Sequence, residues 1–511
     1  MTVICRMAGT VRRYWPRVQC QFVGANKGPV DLLVELDRRG DLPLHKQLER
    51  TLRDAIRGGR LEAGAPLPSS RRLAAELDVS RGVVTSAYGQ LAAEGYLQTK
   101  QGAPVRVARG VRAQPPRPPT PSLVAQFAYD FSPGLPDLAG FPRDRWLRSL
   151  RSAWRETALD AVGYGDPRGV PELREALADY LGRVRGAVAA PEHLLVCTGF
   201  RQGLSLTCRW LRGNGVEHVA LEDPGWHAQR LIVEEAGLTV TPIPVDADGI
   251  DVPALSESGA DAVVVTPTHQ FPTGVALSAQ RRAELIEWAE RGDRLIIEDD
   301  YDAELCRERV GALQGLAPDR VLYIGSASKR LTPGMRLGWM LPPSWLSWAL
   351  ISAKAIEDAG SEIAGQLALA DFIARGELER HLRRMRLRYA QRRETLLAAL
   401  ARELPDWRPY ESGGGLHLLT FLPDHVDEPA LLAAAARHGV GIEGLSLHSY
   451  TGGCPPGLVL GHAHMAQPAI ERGVQLLSDA LDATAPGSSR LRSAIPRKCV
   501  DVPDLGSLLQ D

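Results

Sequence analysis

A chain of 511 residues with 44% hydrophobic content is long enough for two or three domains with sizeable cores, and no apolar run approaches the roughly 20 residues that cross a membrane. A formal net charge of −1 provides no global field for nucleic acid, so any such affinity has to come from a local patch. Seven scattered cysteines without a C-x-x-C pair argue against a disulfide framework and structural zinc and point to a reducing cytoplasm.

Met1–Lys27 carries arginines and a tryptophan but no clean apolar stretch ahead of a small-residue cleavage site. It is not read as a signal peptide, and residues 1–30 are expected to be disordered. In a small module over 31–110, Leu44, Leu48, Leu52 and Ile56 recur at helical spacing and Gly58-Gly59 ends the helix. A second helix starts at Ser69-Ser70 with Leu73 and Leu77 inward. After the tight connection Asp78-Val79-Ser80, Ser80 is placed to cap a third helix that carries Val83, Val84, Ala87 and Leu91 inside and stops at Gly95. Tyr96-Leu97, a turn at Gln101-Gly102, then Val105 and Val107 in alternation predict a two-stranded wing.

Helix, tight turn, helix and hairpin is the geometry that lays one helix in a major groove. The third helix is expected to present Arg81, Thr85 and Tyr88 outward, with Arg71 on the helix before it; the plain alternative is a three-helix bundle with solvated arginines. Residues 43–107 resemble the winged-helix domain of the GntR family through Gly59-Arg60-Leu61, Leu67-Pro68-Ser69-Ser70-Arg71, Val79-Ser80-Arg81, Ala87-Tyr88 and Glu94-Gly95-Tyr96. The resemblance implies a double-stranded DNA operator as partner, phosphate contacts from Ser69, Arg71 and Ser80, base or backbone contacts from Arg81 and its neighbours, and a wing tip at Gln101-Gly102. Gly102-Ala103-Pro104 departs from the usual Gly-Ser-Gly-Thr wing, which puts minor-groove contact in doubt.

Proline density over Ala113–Ser122 forbids helix or sheet and marks a semi-rigid linker, taken as 111–125. The large module, 126–485, alternates helical patterns with short apolar runs: Leu194–Cys197, Val219–Leu221, Ala262–Val265, Leu295–Ile297 and Val321–Ile324. That predicts an α/β fold with a mainly parallel sheet between helices and ligands at the strands' carboxyl ends. Gly376–Tyr389 is dense in arginine, but Leu378, Leu382, Met385 and Tyr389 repeat at helical spacing, so an amphipathic helix with a solvated basic face is preferred to a second DNA-binding surface. Residues 486–511 lack periodicity and are expected to be disordered.

The candidate chemistry falls at those strand ends. Lysine is scarce, yet Lys329 follows a strand in Ser326-Ala327-Ser328-Lys329, with Arg336 seven residues later. A lysine beside hydroxyls and an arginine suits a Schiff base with a phosphorylated aldehyde, pyridoxal 5'-phosphate (PLP). Ser326, Ser328 and Arg336 are candidates for the phosphate, as is the strand-to-helix turn Thr198-Gly199-Phe200-Arg201. Asp299 would hold the pyridine nitrogen protonated, Tyr301 would reach the ring's phenolic oxygen, and Trp226 would stack on the ring.

Together these stretches resemble a fold-type I PLP enzyme of the aspartate-aminotransferase superfamily. More narrowly they resemble the MocR subfamily, a GntR winged helix fused to an aminotransferase-like domain with a smaller C-terminal subdomain. Further matching stretches are Pro133-Gly134-Leu135-Pro136-Asp137, Tyr164-Gly165-Asp166-Pro167-Arg168-Gly169, Glu222-Asp223-Pro224-Gly225, Thr266–Gly274, Glu298–Asp302 and Gly414-Gly415-Leu416-His417. The family implies a head-to-tail homodimer in which Tyr164 reaches the partner subunit's phosphate, and PLP as effector or as part of an effector site. Two departures from the enzymes stand out: Phe271 replaces the asparagine before Pro-Thr-Gly, and Pro456–His464 contains no arginine to clamp a substrate carboxylate.

Three readings follow: a cytoplasmic transcription regulator in which PLP, bound as an aldimine at Lys329, controls operator binding, with a small-molecule amine as a further effector; a PLP-dependent aminotransferase with an appended DNA-binding domain; and a DNA-binding module on a dead cofactor fold. The missing clamp favours the first.

Overall fold

The computed structural model describes residues 20–24, 27–32, 34, 36–38, 40–100, 103–109, 127–158, 163–307, 310–410 and 414–484. The expectations for residues 1–19, the wing tip Gln101-Gly102, the linker 111–125 and the tail 486–511 lie outside them. Cys20–Gly24 pairs antiparallel with Lys27–Leu32, a hairpin within the stretch expected to be disordered; Phe22, Val23 and Val30 are favourable strand formers. The chain divides into two compact units, Met1–Ala125 and Gln126–Asp511.

The first unit contains α1 (Leu44–Arg57), α2 (Ser70–Glu76) and α3 (Arg81–Ala93). The Ser69 hydroxyl accepts from Arg72 N at 3.3 Å and caps α2. Asp78, at φ 51°, makes the left-handed turn into α3. Ser80 occupies the N-cap position of α3, but its hydroxyl makes no cap bond, contrary to expectation. Leu48, Leu52, Leu73, Val84 and Leu91 bury completely in one apolar core. Leu97–Gln98 pairs antiparallel with Arg106–Val107 as the base of the wing.

The second unit is built on an eight-stranded sheet. Its strands are β1 (Leu195–Cys197), β2 (His218–Asp223), β3 (Thr239–Asp246), β4 (Gly249–Ile250), β5 (Ala262–Val265), β6 (Leu295–Asp300), β7 (Val321–Ser326) and β8 (Gly338–Leu341), in the order β1-β8-β7-β6-β5-β2-β3-β4. Five adjacent strands, β7-β6-β5-β2-β3, run parallel; β8 lies antiparallel between β1 and β7, and β4 is antiparallel to β3. The central strands read as continuous apolar runs because both faces are covered. β3 (TVTPIPVD) escapes a sequence reading because Pro242 and Pro244 argue against a strand; they are tolerated near the sheet edge, where β4 pairs only with Val245 and Asp246.

A smaller antiparallel sheet, Arg408–Pro409, His417–Phe421, Gly457–Gly461 and Glu443–Gly444, forms the C-terminal part with its own core around Phe131, Leu418 and Leu460. The arginine-rich segment belongs to a helix, Glu377–Glu403, that buries Leu378, Leu382, Met385 and Tyr389. Two of its arginines, Arg388 and Arg392, lie 2.6 and 3.1 Å from Asp137. These ion pairs and hydrogen bonding hold the Asp137 carboxyl below its usual range despite burial, so this face carries internal structure.

Candidate functional site

On the first unit, Ser69, Arg71, Ser80, Arg81 and Thr85 are all exposed, the first two at the start of α2 and the others at the start of α3. Arg81 Nε donates to Ser70 Oγ at 3.3 Å, and Thr85 Oγ1 donates back to Arg81 O at 2.9 Å. Tyr88 corrects the expectation: it is 5% exposed, and its hydroxyl donates to Pro68 O at 2.9 Å. Val84, Ala87, Tyr88 and Leu91 form one i, i+3, i+4, i+7 stripe, which turns the ring into the core. Burial pushes the phenol pKa up, and the residue ties α3 to the loop before α2.

On the second unit the carboxyl ends of β1, β2, β5, β6 and β7 converge on a cavity of about 320 Å³. Lys329, Asp299, Tyr301, Trp226, Ser326, Ser328, Arg336, Gly199, Phe200 and Arg201 all line it. Tyr164 does not; it is 98% exposed.

Lys329 sits in the single turn Ala327–Arg330 that leaves β7, and its Nζ donates to Gly134 O at 2.5 Å. Gly134 adopts a left-handed φ of 80° that favours glycine, and a Cβ there would stand 2.8 Å from that Nζ and displace the lysine end. Burial lowers the Lys329 pKa while the Asp299 charge opposes it, favouring the neutral nucleophile. Asp299, near the end of β6, is buried, and its pKa rises well above the carboxylate range through desolvation and the Asp300 charge. Its Oδ2 is 3.4 Å from Gln229 Nε2.

Beneath it, Asp300 is held ionised by Arg185 at 2.7 Å and by the Tyr323 hydroxyl at 2.5 Å, with desolvation overcome by the charges of Arg185 and Arg330. Adjacent carboxylates thus do different work: Asp300 braces the sheet, and Asp299 faces the cavity. The Tyr301 hydroxyl donates to His269 O at 2.9 Å, and His269 Nδ1 lies 3.0 Å from Asp302 Oδ2, which orients both rings.

At the other end of the cavity, Gly199 (φ 119°) precedes α4 (Phe200–Gly213), whose first amides are free of helix partners. A Cβ at Gly199 would stand 3.7 Å from Ser326 Oγ and 3.8 Å from an Arg336 guanidinium nitrogen, so glycine keeps this cradle open. Ser326 Oγ donates to Ser328 Oγ at 3.0 Å. Arg336 adopts a left-handed φ of 52°, backbone strain of the kind that gathers at binding sites. Arg201 packs over Trp226 at 4.9 Å from the ring centroid, and burial together with the Arg336 charge lowers its pKa. Two cations facing one glycine cradle at a helix N-terminus make an anion site.

Sequence reasoning missed His227, Gln229 and Glu443 in the lining. Thr266, His417 and Gly134 lay within noted stretches without an assigned role. The three missed residues carry no local pattern; remote segments bring them together.

Fold and cavity define an aminotransferase-like α/β protein joined to a winged helix. Residues 138–445 match the family "Aminotransferase class I and II", and residues 44–107 match "Bacterial regulatory proteins, gntR family". The chain is 33% identical over 501 residues to the probable rhizopine catabolism regulatory protein MocR of Rhizobium meliloti, covering 91% of this chain and 100% of the relative. It is also 33% identical to the pyridoxine biosynthesis transcriptional regulator PdxR of Corynebacterium glutamicum, over 88% of this chain and 99% of that one. Among solved structures, the kynurenine aminotransferase of Pyrococcus horikoshii superposes with a TM-score of 0.64 at 26% identity, covering 70% of this chain and 92% of that chain. The chain belongs to the MocR-type gntR regulators, whose large domain is of the aminotransferase class I and II family.

Proposed function

We propose that this protein is a PLP-responsive, DNA-binding transcription regulator of the cytoplasm. The observation that carries the reading is the cavity's division of charge: a half-buried lysine and a buried aspartate at one end, and at the other a glycine cradle beside Arg336, with Arg201 in the first turn of the helix it opens. This donor set fits PLP. Lys329 would hold its aldehyde carbon covalently, Asp299 its ring nitrogen, and Tyr301 its phenolic oxygen. Trp226 would stack on the ring, and Ser326, Ser328, Arg336 and the amides from Gly199 to Arg201 would hold the phosphate. When bound, the group supplies an electrophilic carbon conjugated to an electron-withdrawing ring. Gln229 positions the Asp299 carboxylate, His269 orients Tyr301, and Gly134 gives the lysine its path.

The second half of the reading is the exposed start of α3. Arg81 and Thr85 would face base edges, with Arg71, Ser69 and Ser80 at phosphates; the wing tip at Gln101-Gly102 would complete the contact. The reading uses a DNA-binding domain over 31–110, a linker over 111–125 and a PLP domain over 126–485, acting as a head-to-tail homodimer. There the exposed Tyr164 of each subunit would reach the other's phosphate. PLP controls operator binding if it has different affinities for two arrangements of the dimer. Turnover of an amino acid is not favoured, because Pro456–His464 contains no arginine to clamp a substrate carboxylate.

The test is capture of sheared genomic DNA by purified protein, stripped of PLP and then reloaded. Discrete sites whose occupancy changes with PLP, and does not change in Lys329→Ala, are expected. Sites indifferent to PLP would refute the reading.

A further inference from the structure

With the phosphate, ring nitrogen and aldehyde positions assigned, one wall of the cavity is left unused. It contains His227, Phe271, His417 and Glu443, with His448 packed behind. The rings form a continuous surface: Phe271 lies 4.9 Å from His417 and 5.0 Å from His448, and His448 lies 5.8 Å from His227. Glu443 Oε2 stands 3.5 Å from His448 Nε2. These residues come from the start of the helix after β2, the loop after β5 and two strands of the C-terminal sheet, so three separate parts of the unit supply one surface.

The chemistry of this wall is that of an acceptor. His417 Nε2 lies 3.1 Å from Pro272 O, so that nitrogen carries the proton and Nδ1 keeps its lone pair. That Nδ1 is buried without a hydrogen-bond partner, on a residue 1% exposed. His227 Nδ1 is also buried and unpartnered. Burial lowers the pKa of both imidazoles, and for each a neighbouring histidine lowers it further, so both rings stay neutral at pH 7. Buried acceptors left without donors are costly, and such sites call for a partner. Glu443 adds the wall's one carboxylate. The Arg201 charge reaches His227, so the part of the wall that favours a cation is Glu443 with the lone pair of His417 Nδ1. It would repel a carboxylate and hold a group with several N–H donors and a positive charge.

We propose that the cavity also takes an amine effector with a second cationic group at its far end, an ammonium or guanidinium held by Glu443 with His417, rather than a carboxylate. The inference rests on the PLP reading above, since the near amine is taken to face Lys329. The methylene chain between the two ends would lie along Phe271, whose ring offers an apolar face.

The experiment is calorimetry on the full-length PLP-loaded protein with three probes of matched length: 1,4-diaminobutane, 4-aminobutanoate and butylamine. The diamine is expected to bind more tightly than either of the others by about tenfold or more. Glu443→Gln should bring the diamine-to-butylamine ratio close to unity, and Glu443→Asp should retain most of the preference. Because the readout is a ratio within one loaded protein, a general loss of stability does not imitate it. Equal or tighter binding of 4-aminobutanoate, a preference that survives in Glu443→Gln, or no binding of any of the three would overturn the inference while leaving the PLP reading intact. Failure to take up PLP, read beforehand from the visible absorbance, would overturn that reading and the inference with it.

Discussion

The winged-helix unit and the α/β unit put their working groups on opposite sides of their cores. In the first, Ser69, Arg71, Ser80, Arg81 and Thr85 stand in solvent over a largely apolar interior, whose polar groups include the Tyr88 hydroxyl and the Glu49 carboxylate paired with Lys46 at 2.9 Å. In the second, Lys329 and Asp299 point into a cavity, and beneath them Arg185, Asp300, Tyr323 and Arg330 form a buried ionic network. The partners explain the contrast. A duplex is a large polyanion met at the surface, where charges remain hydrated until contact. A small ring with one phosphate is recognised by removing it from water, so each charge in the cavity needs a fixed neighbour beforehand.

If that contrast is real, damage on one side should not register on the other. The largest effect is expected from Lys329→Ala: complete loss of the borohydride-fixed PLP label, with binding of the unloaded protein to operator DNA retained, measured on the same preparation. Next comes Glu222, buried beside Thr266 at 2.5 Å, with its carboxyl raised from 4.5 to about 7 by desolvation. A raised acid stabilises the fold fully below its unfolded pKa and loses that contribution as pH rises through its folded one. Melting curves of wild type and Glu222→Gln should therefore diverge between 4.5 and about 7, with the wild type losing up to about 3 kcal/mol relative to the variant. The winged helix should show no such slope in this comparison.

Arg81→Ala should cost about 1–3 kcal/mol of operator affinity at fixed salt and leave the PLP absorbance unchanged. Gly134→Ala sets a Cβ 2.8 Å from Nζ at a φ of 80° and should weaken PLP uptake by about 1–2 kcal/mol, read by absorbance titration. The smallest effect sharpens the comparison most. Tyr88→Phe removes the bond to Pro68 O and should lower the stability of the small unit by about 1 kcal/mol, with operator affinity unchanged well below its melting point. A loss of affinity there would return Tyr88 to the DNA face.

Legibility in the sequence followed the same divide between local and remote. Lys329, Asp299, Ser326, Ser328 and Arg336 could be read because each stands just past or at the end of an apolar run, and strand ends are where an α/β fold opens its site. Helices α1 to α3 could be read from their stripes. Tyr88 could not be placed, because it lies at the margin of a stripe four positions wide and its polar tip suits either face. Ser80 has the composition of a cap without forming the bond, which is decided by side-chain rotation. β3 was hidden by two prolines that an edge location excuses. Of the wall, only His417 lay in a noted motif; His227 and Glu443 had no periodic or motif signal, and the three, separated by up to 216 residues, meet only through the tertiary fold.

The contact between Lys329 and Gly134 sets up a competition for one nitrogen. A lysine whose Nζ donates at 2.5 Å to a backbone carbonyl has a proton committed there, and a nitrogen that gains a bond to carbon has fewer protons to give. Covalent loading at Lys329 would therefore compete with the bond to the Gly134 carbonyl. That peptide lies nine residues beyond Ala125, in the stretch through which the chain enters the large unit from the linker. The carbonyl that shares this nitrogen is thus, among the groups around the cavity, one of the closest in sequence to the winged-helix unit.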